Sequence, residues 1–400
     1  MGRTKQDASI GIIGMGDMGK MYAQRLSDAG WRINACDKPE NYETLQKEFF
    51  PLVTIFPNGH LVSRISDFIL YSVEAGVIDR VAPELSAFER HLPADVEIVS
   101  CHSLHGPKVN PKGQPLVLIQ HRASDESLRF VEHILSSFGS KLVYLTGEMH
   151  DRITADTQAV THAAFLSMGT AWQANNQFPW EMSRWVGGIE NVKINITLRI
   201  YSNKWHVYAG LAILNPAAKQ QIRQYAESVT DLYKLMIGGH RDELKRRVKA
   251  AGASVFKDGT PGQDLLLKDE HLDQFSLSTR SREASPPNNH LSLLAIVDCW
   301  SKLGILFRLW LGVTEYLFRN PELLDSALDT AIDDNTFRSD DLEFTFAARA
   351  WSDCVSFGDF ESYRDRFERI ASYFSPRFPE AAKLGNEMMK TLLEKTSGQP

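Results

Sequence analysis

The sequence predicts an α/β fold in which an N-terminal doubly wound sheet is followed by an all-helical domain. Up to about Leu145, short apolar runs alternate with amphipathic stretches, as in a parallel sheet whose strands are joined by helices. After Glu148 the apolar residues recur with the 3.6-residue period of helices. This change of pattern predicts two domains, residues 1–147 and residues 148–400.

Apolar runs in the first domain have the length of buried strands. They are Ile10 to Ile13, Ile33 to Cys36, Phe68 to Val73, Val96 to Cys101, Leu116 to Ile119 and Leu142 to Leu145. Because amphipathic stretches separate most of them, they favour parallel strands with helical crossovers.

The first run leads into Gly14-x-Gly16-x-x-Gly19, between a predicted strand and a predicted helix. The first glycine permits a tight turn, the second lets a pyrophosphate approach the backbone, and the third lets the helix pack closely on the strand. The N–H groups of Asp17 and Met18 would face the phosphates at the positive end of the helix. This Rossmann-type fingerprint predicts a nicotinamide dinucleotide cofactor. The alternative is a glycine-rich turn in an unrelated α/β domain.

The end of the second strand bears on which cofactor binds. Asp37 lies roughly 20 residues after the glycines, where an acidic residue contacts a free ribose 2′-hydroxyl and favours NAD. Lys38 follows directly and could instead meet the 2′-phosphate of NADP. Ser72 and Val73, at the end of the run from Phe68, complete the predicted cofactor-binding residues.

The second domain is predicted to be almost wholly helical. Its periodic segments are Ile153 to Gly169, Val192 to Leu214, Ala217 to Ile237, Leu291 to Leu303, Leu306 to Phe318 and Leu342 to Phe357. Asn215-Pro216 predicts a helix start, since an N-cap is followed by proline in the first turn. Residues 257–289, which contain the run SREASPPNN, are predicted to form a long exposed loop.

Composition excludes several classes of function. A formal charge of -6 gives no basic field for a phosphate backbone, so nucleic acid is not an expected partner. The four cysteines lack C-x-x-C spacing, so we expect reduced thiols, no metal site and a cytoplasmic location. The apolar stretch Leu303 to Leu317 contains Arg308 and is too short to span a bilayer, and the short polar N-terminus leaves no room for a signal peptide.

His102 is the predicted catalytic residue. It follows the strand Val96 to Cys101, and the carboxyl ends of strands in such a sheet open onto the ligand crevice. An imidazole can take a proton from an alcohol that is being oxidised. The alternative is a surface histidine in a turn. His105 is the weaker candidate because it lies further into the loop.

Two polar stripes mark the helical domain. The first is Thr154, Gln158 and His162, at every fourth residue, and it indicates either a lined pocket or a hydrogen-bonded seam between helices. The second stripe consists of Asn195, Arg199, Ser202 and His206, which would share one face of a single helix. An arginine fork on that face could clamp a carboxylate, and plain solvent exposure is the alternative.

The blocks GIIGMGDMG, HSLHGPKVN, ITADTQAVTHAAFLSMG and NVKINITLRIYSNKWHVYAGLAILNP together resemble fungal prephenate dehydrogenases, and the resemblance runs nearly end to end. It implies oxidative decarboxylation of prephenate to 4-hydroxyphenylpyruvate with NADP, on the route to tyrosine. It also implies a Rossmann domain followed by a helical domain through which two subunits dimerise. The resemblance therefore favours NADP over NAD.

The resemblance also implies roles for single residues. His102 matches the family's catalytic histidine, which accepts the hydrogen bond from the C4 hydroxyl of the substrate. Gln158 and His162 match a helix that contacts the substrate, and Arg199 matches the arginine that holds a prephenate carboxylate. Trp205 lies near an aromatic residue that covers the site in the family.

Two stretches of the family pattern are missing. After Ser72-Val73-Glu74-Ala75 the chain passes into PELSAFERHLP, without the next strand and its hydroxyl-rich turn beside the nicotinamide. A second gap lies near Leu303 to Leu306. A non-catalytic NADP-binding sensor is therefore one alternative. The other is a β-hydroxyacid dehydrogenase, which would need a catalytic lysine that Lys193 and Lys204 match poorly.

Overall fold

The computed structural model describes residues 5, 7–73, 92–106, 109–183, 187–256, 276–277, 288–305 and 312–385. The chain divides into two compact units, Met1–His150 and Asp151–Pro400. The described strands all lie in the first unit, and the described part of the second unit is helical. The predicted α/β fold class is thereby confirmed.

The first unit begins with a parallel sheet in the order β3-β2-β1-β4. Its strands are β1 (Ser9–Ile13), β2 (Arg32–Cys36), β3 (Thr54–Ile55) and β4 (Phe68–Tyr71). They are joined by α1 (Asp17–Asp28), α2 (Tyr42–Phe49) and α3 (Gly59–Ile65). Ile10 and Ile12 of the central β1 are fully buried. Burial of a strand on both faces explains why it reads as a continuous apolar run.

A second sheet follows in the order β5-β6-β7. It is built from β5 (Ile98–Ser103), β6 (Pro115–Arg122) and β7 (Lys141–Tyr144), with α4 (Asp125–Leu135) between the last two. The pair β6–β7 is parallel, as expected, but β5 runs antiparallel to β6. The expectation of a wholly parallel sheet is wrong at this strand. The connection 104–114 is too short for the crossover that parallel pairing requires.

The strands β4 and β5 end the described parts of the two sheets. Among the described residues, β4 pairs with β1, β5 pairs with β6, and the two are not paired with each other. The segment that the sequence predicts to lack a central strand, after Ala75, lies outside the described residues up to 91.

The second unit is a set of packed helices. In chain order they are α5 (Gly147–Thr154), a π-helical turn (Ala155–Ala159), α6 (Val160–Ala174), α7 (Ile189–Tyr201), α8 (Trp205–Leu214), α9 (Pro216–Ile237), α10 (Arg241–Val255), α11 (Leu291–Leu303), α12 (Gly312–Phe318), α13 (Pro321–Asp333), α14 (Arg338–Phe357) and α15 (Phe360–Phe374). The first of these begins in the N-terminal unit and crosses the division at His150.

Helix α6 is buried almost all round and forms the centre of this unit. A Cβ atom on Gly169 would overlap the ring of Tyr201, so glycine lets α7 approach closely. The Tyr201 hydroxyl donates to the carbonyl of Leu166 at 2.7 Å, and the Trp351 indole donates to Thr170 at 2.8 Å. These bonds satisfy buried polar groups, which would otherwise cost about 1–3 kcal/mol each.

Two features of the helical prediction need correction. The segment Val192 to Leu214 is two helices, because α7 ends at Tyr201 and α8 begins at Trp205. The predicted exposed loop 257–289 lies mostly outside the described residues, and Leu277 and Asn289 within it are buried.

The predicted helix start at Asn215-Pro216 is confirmed. The Asn215 side chain accepts the N–H groups of Ala217 and Ala218 at 3.0 and 3.2 Å. Its amide also donates to the carbonyl of Asp151 at 2.8 Å. One side chain therefore caps α9 and ties it to α5.

Candidate functional site

The glycine loop between β1 and α1 is closely packed on one side and open on the other. Gly14 has a φ of +98°, and a Cβ there would overlap the carbonyl oxygen of Ser72. A Cβ on Gly19 would overlap the carbonyl oxygen of Gly14. By contrast, no atom of the residues that the structure describes lies within 4 Å of a Cβ built on Gly16. The first and third glycines are thus required by packing, while the second leaves an open space at the helix start.

That open space has the chemistry of an anion site. Gly16 is the N-cap of α1 and has no side chain with which to accept the first-turn N–H groups. Asp17 and Met18 follow as the first two residues of the helix, at the positive end of its dipole. The arrangement fits a dinucleotide pyrophosphate, which needs backbone donors and close approach rather than side-chain charge.

Asp37 holds the glycine loop in place. Its Oδ2 accepts the N–H of Met15 at 2.5 Å, while Oδ1 accepts the N–H of Lys38 at 2.7 Å and the Asn41 amide at 3.1 Å. Both carboxylate oxygens are therefore already engaged within the protein. A ribose 2′-hydroxyl would have to share them. The neighbouring Lys38 is exposed.

The remaining predicted cofactor residues lie at the end of β4. The N–H of Ser72 donates to the carbonyl of Ile13 at 2.8 Å, which continues the pairing of β4 with β1. The side chain of Val73 lies against Gly14. Ser72 and Val73 therefore border the glycine loop.

His102 lies on β5 and is paired with a histidine that the sequence did not point to. Its Nδ1 is 2.8 Å from Nε2 of His150 on α5, and the two rings meet edge to face. Burial and the proximity of His150 lower the pKa of His102 to about 4. The ring is therefore neutral near pH 7 and retains a nitrogen lone pair that can accept a proton. The two histidines are 48 positions apart in the sequence, so no local spacing signal connects them.

The end of β5 is also tied to α1. The hydroxyls of Tyr22 and Ser103 are 2.8 Å apart, and the Tyr22 ring stacks on Phe138. Burial raises the pKa of Tyr22 to about 12, so the phenol stays protonated in this bond. The helix that follows the glycine loop thus fixes the strand that carries His102.

In the second unit, the first polar stripe does not lie on a regular α-helix. Thr154 ends α5, Gln158 lies in the π-helical turn, and His162 lies in α6. A π turn contains more residues than an α-helical turn, so side chains four positions apart do not line up on one face as predicted. Thr154 is buried, while Gln158 and His162 are partly exposed. Such turns occur frequently at functional sites.

The second stripe is wrong as a single helical face. Asn195 is buried and Arg199 is exposed, although both lie on α7. Ser202 is the C-cap of α7, and His206 belongs to the next helix. After the helix end, Asn203 donates its side-chain amide to the carbonyl of Arg199 at 3.0 Å, which satisfies a last-turn acceptor.

Tyr208 links the predicted substrate residues of this unit and was missed by sequence reasoning. His162 packs edge to face on its ring, with 4.8 Å between the centroids. Burial raises the pKa of Tyr208, while a hydrogen bond from Asn203 and the charge of Arg199 lower it. His162, Tyr208 and Arg199 are therefore neighbours. Trp205 lies one turn earlier on α8 and packs against the core of the unit.

His162 itself is held in an apolar setting. Burial lowers its pKa to about 4, and within the described residues its buried Nδ1 has no hydrogen-bond partner. A cavity of about 10 Å³ beside it is lined by Tyr208, Leu211 and Trp351, among others. That volume suits about one water molecule. The cavity is too small for a substrate.

Lys193 forms part of a separate buried polar cluster. Its ammonium group is 2.7 Å from Glu190, whose other neighbour is His290 at 3.0 Å. Burial alone would raise the pKa of Glu190, but Lys193 and His290 lower it to about 2. The cluster borders a cavity of about 100 Å³. Since Lys193 is neutralised by a carboxylate, it does not resemble a free catalytic lysine.

Known proteins match the chain over both units. Residues 159–394 match the family described as TYR1-like, 6-phosphogluconate dehydrogenase C-terminal domain. Residues 9–103 match the family described as NADP oxidoreductase, coenzyme F420-dependent. The probable prephenate dehydrogenase (NADP+) of Schizosaccharomyces pombe is 55% identical over 425 aligned positions, covering 98% of this chain and 99% of that protein. The chain belongs to the prephenate dehydrogenase family.

Two further similarities accompany this assignment. The prephenate dehydrogenase (NADP+) of Saccharomyces cerevisiae is 50% identical, covering 97% of this chain and 94% of that protein. The crystal structure of prephenate dehydrogenase from A. aeolicus, in complex with hydroxyphenyl propionate and NAD+, covers 61% of this chain and 95% of that chain, with 16% identity and a TM-score of 0.44.

The alignment with the Schizosaccharomyces pombe relative contains gaps in this chain. Because 98% of 400 residues is about 392, about 33 of the 425 aligned positions have no residue of this chain opposite them. The relative therefore contains roughly that many residues without a counterpart here.

Substitutions in the glycine loop should separate packing from cofactor binding. Gly19→Ala should lower the unfolding midpoint, because its methyl group overlaps the Gly14 carbonyl and overpacking costs about 1–3 kcal/mol. The free energy of unfolding of Gly16→Ala should stay within about 1 kcal/mol of that of the parent, because the space at this position is open. The same substitution should weaken NADP+ binding. Thermal unfolding and NADP+ titration measure the two effects. Parent-like NADP+ affinity in Gly16→Ala would show that this space does not receive the pyrophosphate.

Proposed function

We propose that this chain catalyses the oxidative decarboxylation of prephenate to 4-hydroxyphenylpyruvate with reduction of NADP+, on the route to tyrosine. The observation that carries this proposal is the 50–55% identity, over nearly the whole chain, to relatives named as NADP+-dependent prephenate dehydrogenases. The site geometry supports it, because a glycine loop with an open anion space and a neutral histidine lie in the same unit.

The residues present fit an NADP+ molecule. The open space at Gly16 and the first-turn N–H groups of Asp17 and Met18 would take the pyrophosphate. Lys38 would take the 2′-phosphate, because Asp37 is occupied by backbone donors and Lys38 is exposed beside it. When bound, the cofactor supplies the acceptor for the hydride that leaves C4 of the substrate.

His102 would act as the proton acceptor. Its neutral ring accepts the hydrogen bond from the C4 hydroxyl and takes the proton as hydride leaves C4. The electron pair of the broken bond to carbon dioxide makes the C4 oxygen a phenolate, and His102 returns the proton to that oxygen. Loss of carbon dioxide is driven by aromatisation of the ring, so no metal is needed to polarise the substrate. The protein's task is mainly to orient two anions and to accept one proton.

Residues of the helical unit would bind the substrate. Arg199 would hold a prephenate carboxylate, which a guanidinium fork can bind through two parallel hydrogen bonds. Gln158 and His162 would contact the substrate, and Trp205 would cover the site. Tyr208 supports this assignment by joining His162 to the neighbourhood of Arg199.

A non-catalytic NADP-binding protein is the second candidate. It is favoured by the gaps in this chain relative to the Schizosaccharomyces pombe protein, and by the missing hydroxyl-rich turn that the family pattern places after Ala75. Such a protein would bind NADP+ and fail to oxidise prephenate.

We also propose the broader organisation that the family resemblance implies. Residues 1–147 would bind the cofactor, and residues 148–400 would bind substrate and join two subunits. The four cysteines are free thiols, and three of them are buried, which suits the reducing cytoplasm. Within the described residues, no helix has the length and apolarity needed to cross a bilayer.

Turnover by the purified chain tests the function. Prephenate with NADP+ should yield NADPH, followed by absorbance, and His102→Ala should lower kcat by about 10²- to 10⁴-fold because the proton acceptor is lost. His121→Ala removes an exposed histidine of the adjacent strand β6 and should leave kcat unchanged. NADP+ binding without NADPH formation by the folded parent would favour the sensor.

Charge removal at Lys38 tests the cofactor choice. Lys38→Ala should weaken NADP+ binding at least about tenfold, since a hydrogen bond to a charged group contributes about 1.5–3 kcal/mol, and should leave NAD+ binding unchanged. Lys47→Ala makes the same charge change at an exposed position of α2 and serves as the control. An equal loss of affinity for NADP+ and NAD+ would refute a contact between Lys38 and the 2′-phosphate.

The mass of the protein in solution tests the proposed dimer. Phe346 and Phe357 are large exposed apolar side chains of the helical unit and are available for an interface. Light scattering at micromolar concentration should therefore report twice the chain mass. A single-chain mass at the same concentration would contradict dimerisation.

A further inference from the structure

We infer that His150 is a positioning residue whose Nε2 accepts a hydrogen bond from Nδ1–H of His102, so that Nε2 of His102 is left as the proton acceptor. The inference rests on the proposed function for the role of His102. The observation that carries it is the 2.8 Å separation between His102 Nδ1 and His150 Nε2.

The tautomer of His102 follows from the task of the ring. A neutral imidazole has one N–H donor and one nitrogen acceptor. Because Nδ1 faces His150, Nε2 is the nitrogen that remains to face a substrate. A proton acceptor needs its lone pair on that nitrogen, so the ring hydrogen must lie on Nδ1. His150 must then accept through Nε2 and carry its own hydrogen on Nδ1.

The opposite tautomer would disable the base. If His150 donated to His102, the hydrogen of His102 would lie on Nε2. That nitrogen would then have no lone pair with which to accept the proton of the substrate hydroxyl. The inferred arrangement also stabilises His102 after the ring has accepted a proton. A cationic His102 keeps the same Nδ1–H bond to His150, and charge-assisted hydrogen bonds are stronger than neutral ones.

The position of His150 is fixed by the start of α5. Its N–H donates to the carbonyl of Thr146 at 2.9 Å, and the Thr146 hydroxyl accepts the N–H of Met149 at 3.2 Å. This capped first turn holds the imidazole of His150 at a defined place. The ring is therefore presented by a helix rather than by a loop.

The position of His102 is fixed independently. Its backbone pairs with Val117 of β6, and the next residue, Ser103, is bonded to Tyr22 of α1. These contacts bring two titratable side chains to this end of β5, His150 from α5 and Tyr22 from α1, and Cys101 precedes His102 on the strand. Of these, His150 is the group that directly contacts the His102 ring.

Two substitutions of similar size separate hydrogen bonding from packing. In His150→Gln the side-chain Oε1 can take the place of Nε2 as an acceptor, whereas His150→Met fills similar space without one. His150→Met should lower kcat with prephenate about 10- to 100-fold, by analogy with the loss seen when the hydrogen-bond partner that orients a metal-bound histidine is removed. His150→Gln should recover most of that loss. The dissociation constant for NADP+ should be unchanged in both.

Ring-nitrogen NMR of the full chain labelled with ¹⁵N-histidine gives a readout that does not depend on turnover. The His102 signals are assigned by their absence in His102→Asn. We expect a protonated Nδ1 and an unprotonated Nε2 for His102 at pH 7 in the parent and in His150→Gln, and a mixture of tautomers in His150→Met.

The outcomes separate the two proposals. A parent His102 with its hydrogen on Nε2, or equal kcat values in His150→Gln and His150→Met, would overturn the role of His150. If the parent shows no prephenate turnover but has the expected tautomer, the proposed function fails while the hydrogen-bond assignment stands.

Discussion

The close approach of α1 to the glycine loop is the constraint on which the N-terminal unit depends. Gly19 meets the carbonyl of Gly14, and Gly14 in turn meets the carbonyl of Ser72, so neither position has room for a side chain. These contacts join β1, α1 and the end of β4 at one point. They leave the space at Gly16 as the open part of the loop, next to the helix start. The same arrangement therefore packs the loop tightly and leaves an open space for the cofactor.

Asp37 shows how an expected ligand can also be a structural element. The sequence rule places an acidic residue there to meet a ribose hydroxyl. In the structure its two oxygens accept hydrogen bonds from Met15, Lys38 and Asn41. Charge-assisted hydrogen bonds of this kind are among the stronger ones in proteins. The position of a residue in a motif therefore does not show whether it can bind a ligand. Its contacts in the structure decide that.

Much of the fold could be predicted from local sequence patterns. Apolar runs located β1, β2, β4, β5, β6 and β7, and Asn215-Pro216 located the start of α9. The two-residue strand β3 was missed because it is too short to produce a periodic signal. The direction of β5 was missed because an apolar run does not encode strand direction, which depends on the length of the connection that follows.

The candidate site was less predictable because its contacts join distant residues. His102 and Arg199 were predicted as site residues from motifs, but their neighbours His150 and Tyr208 lie on other elements. Helical spacing also failed where helices are irregular. The π turn at Ala155–Ala159 shifts the first stripe, and the break after Tyr201 divides the second. A periodicity rule assumes an uninterrupted α-helix, so it detects neither the π turn nor the helix break.

The central claim is that the first unit holds NADP+ with its pyrophosphate at the start of α1 and its reactive end towards His102. A crystal structure of the chain with NADP+ tests this most directly. The account predicts phosphate oxygens at the N–H groups of Asp17 and Met18, the 2′-phosphate at Lys38 and the nicotinamide ring on the side of His102. A cofactor bound away from the open space at Gly16 would contradict it.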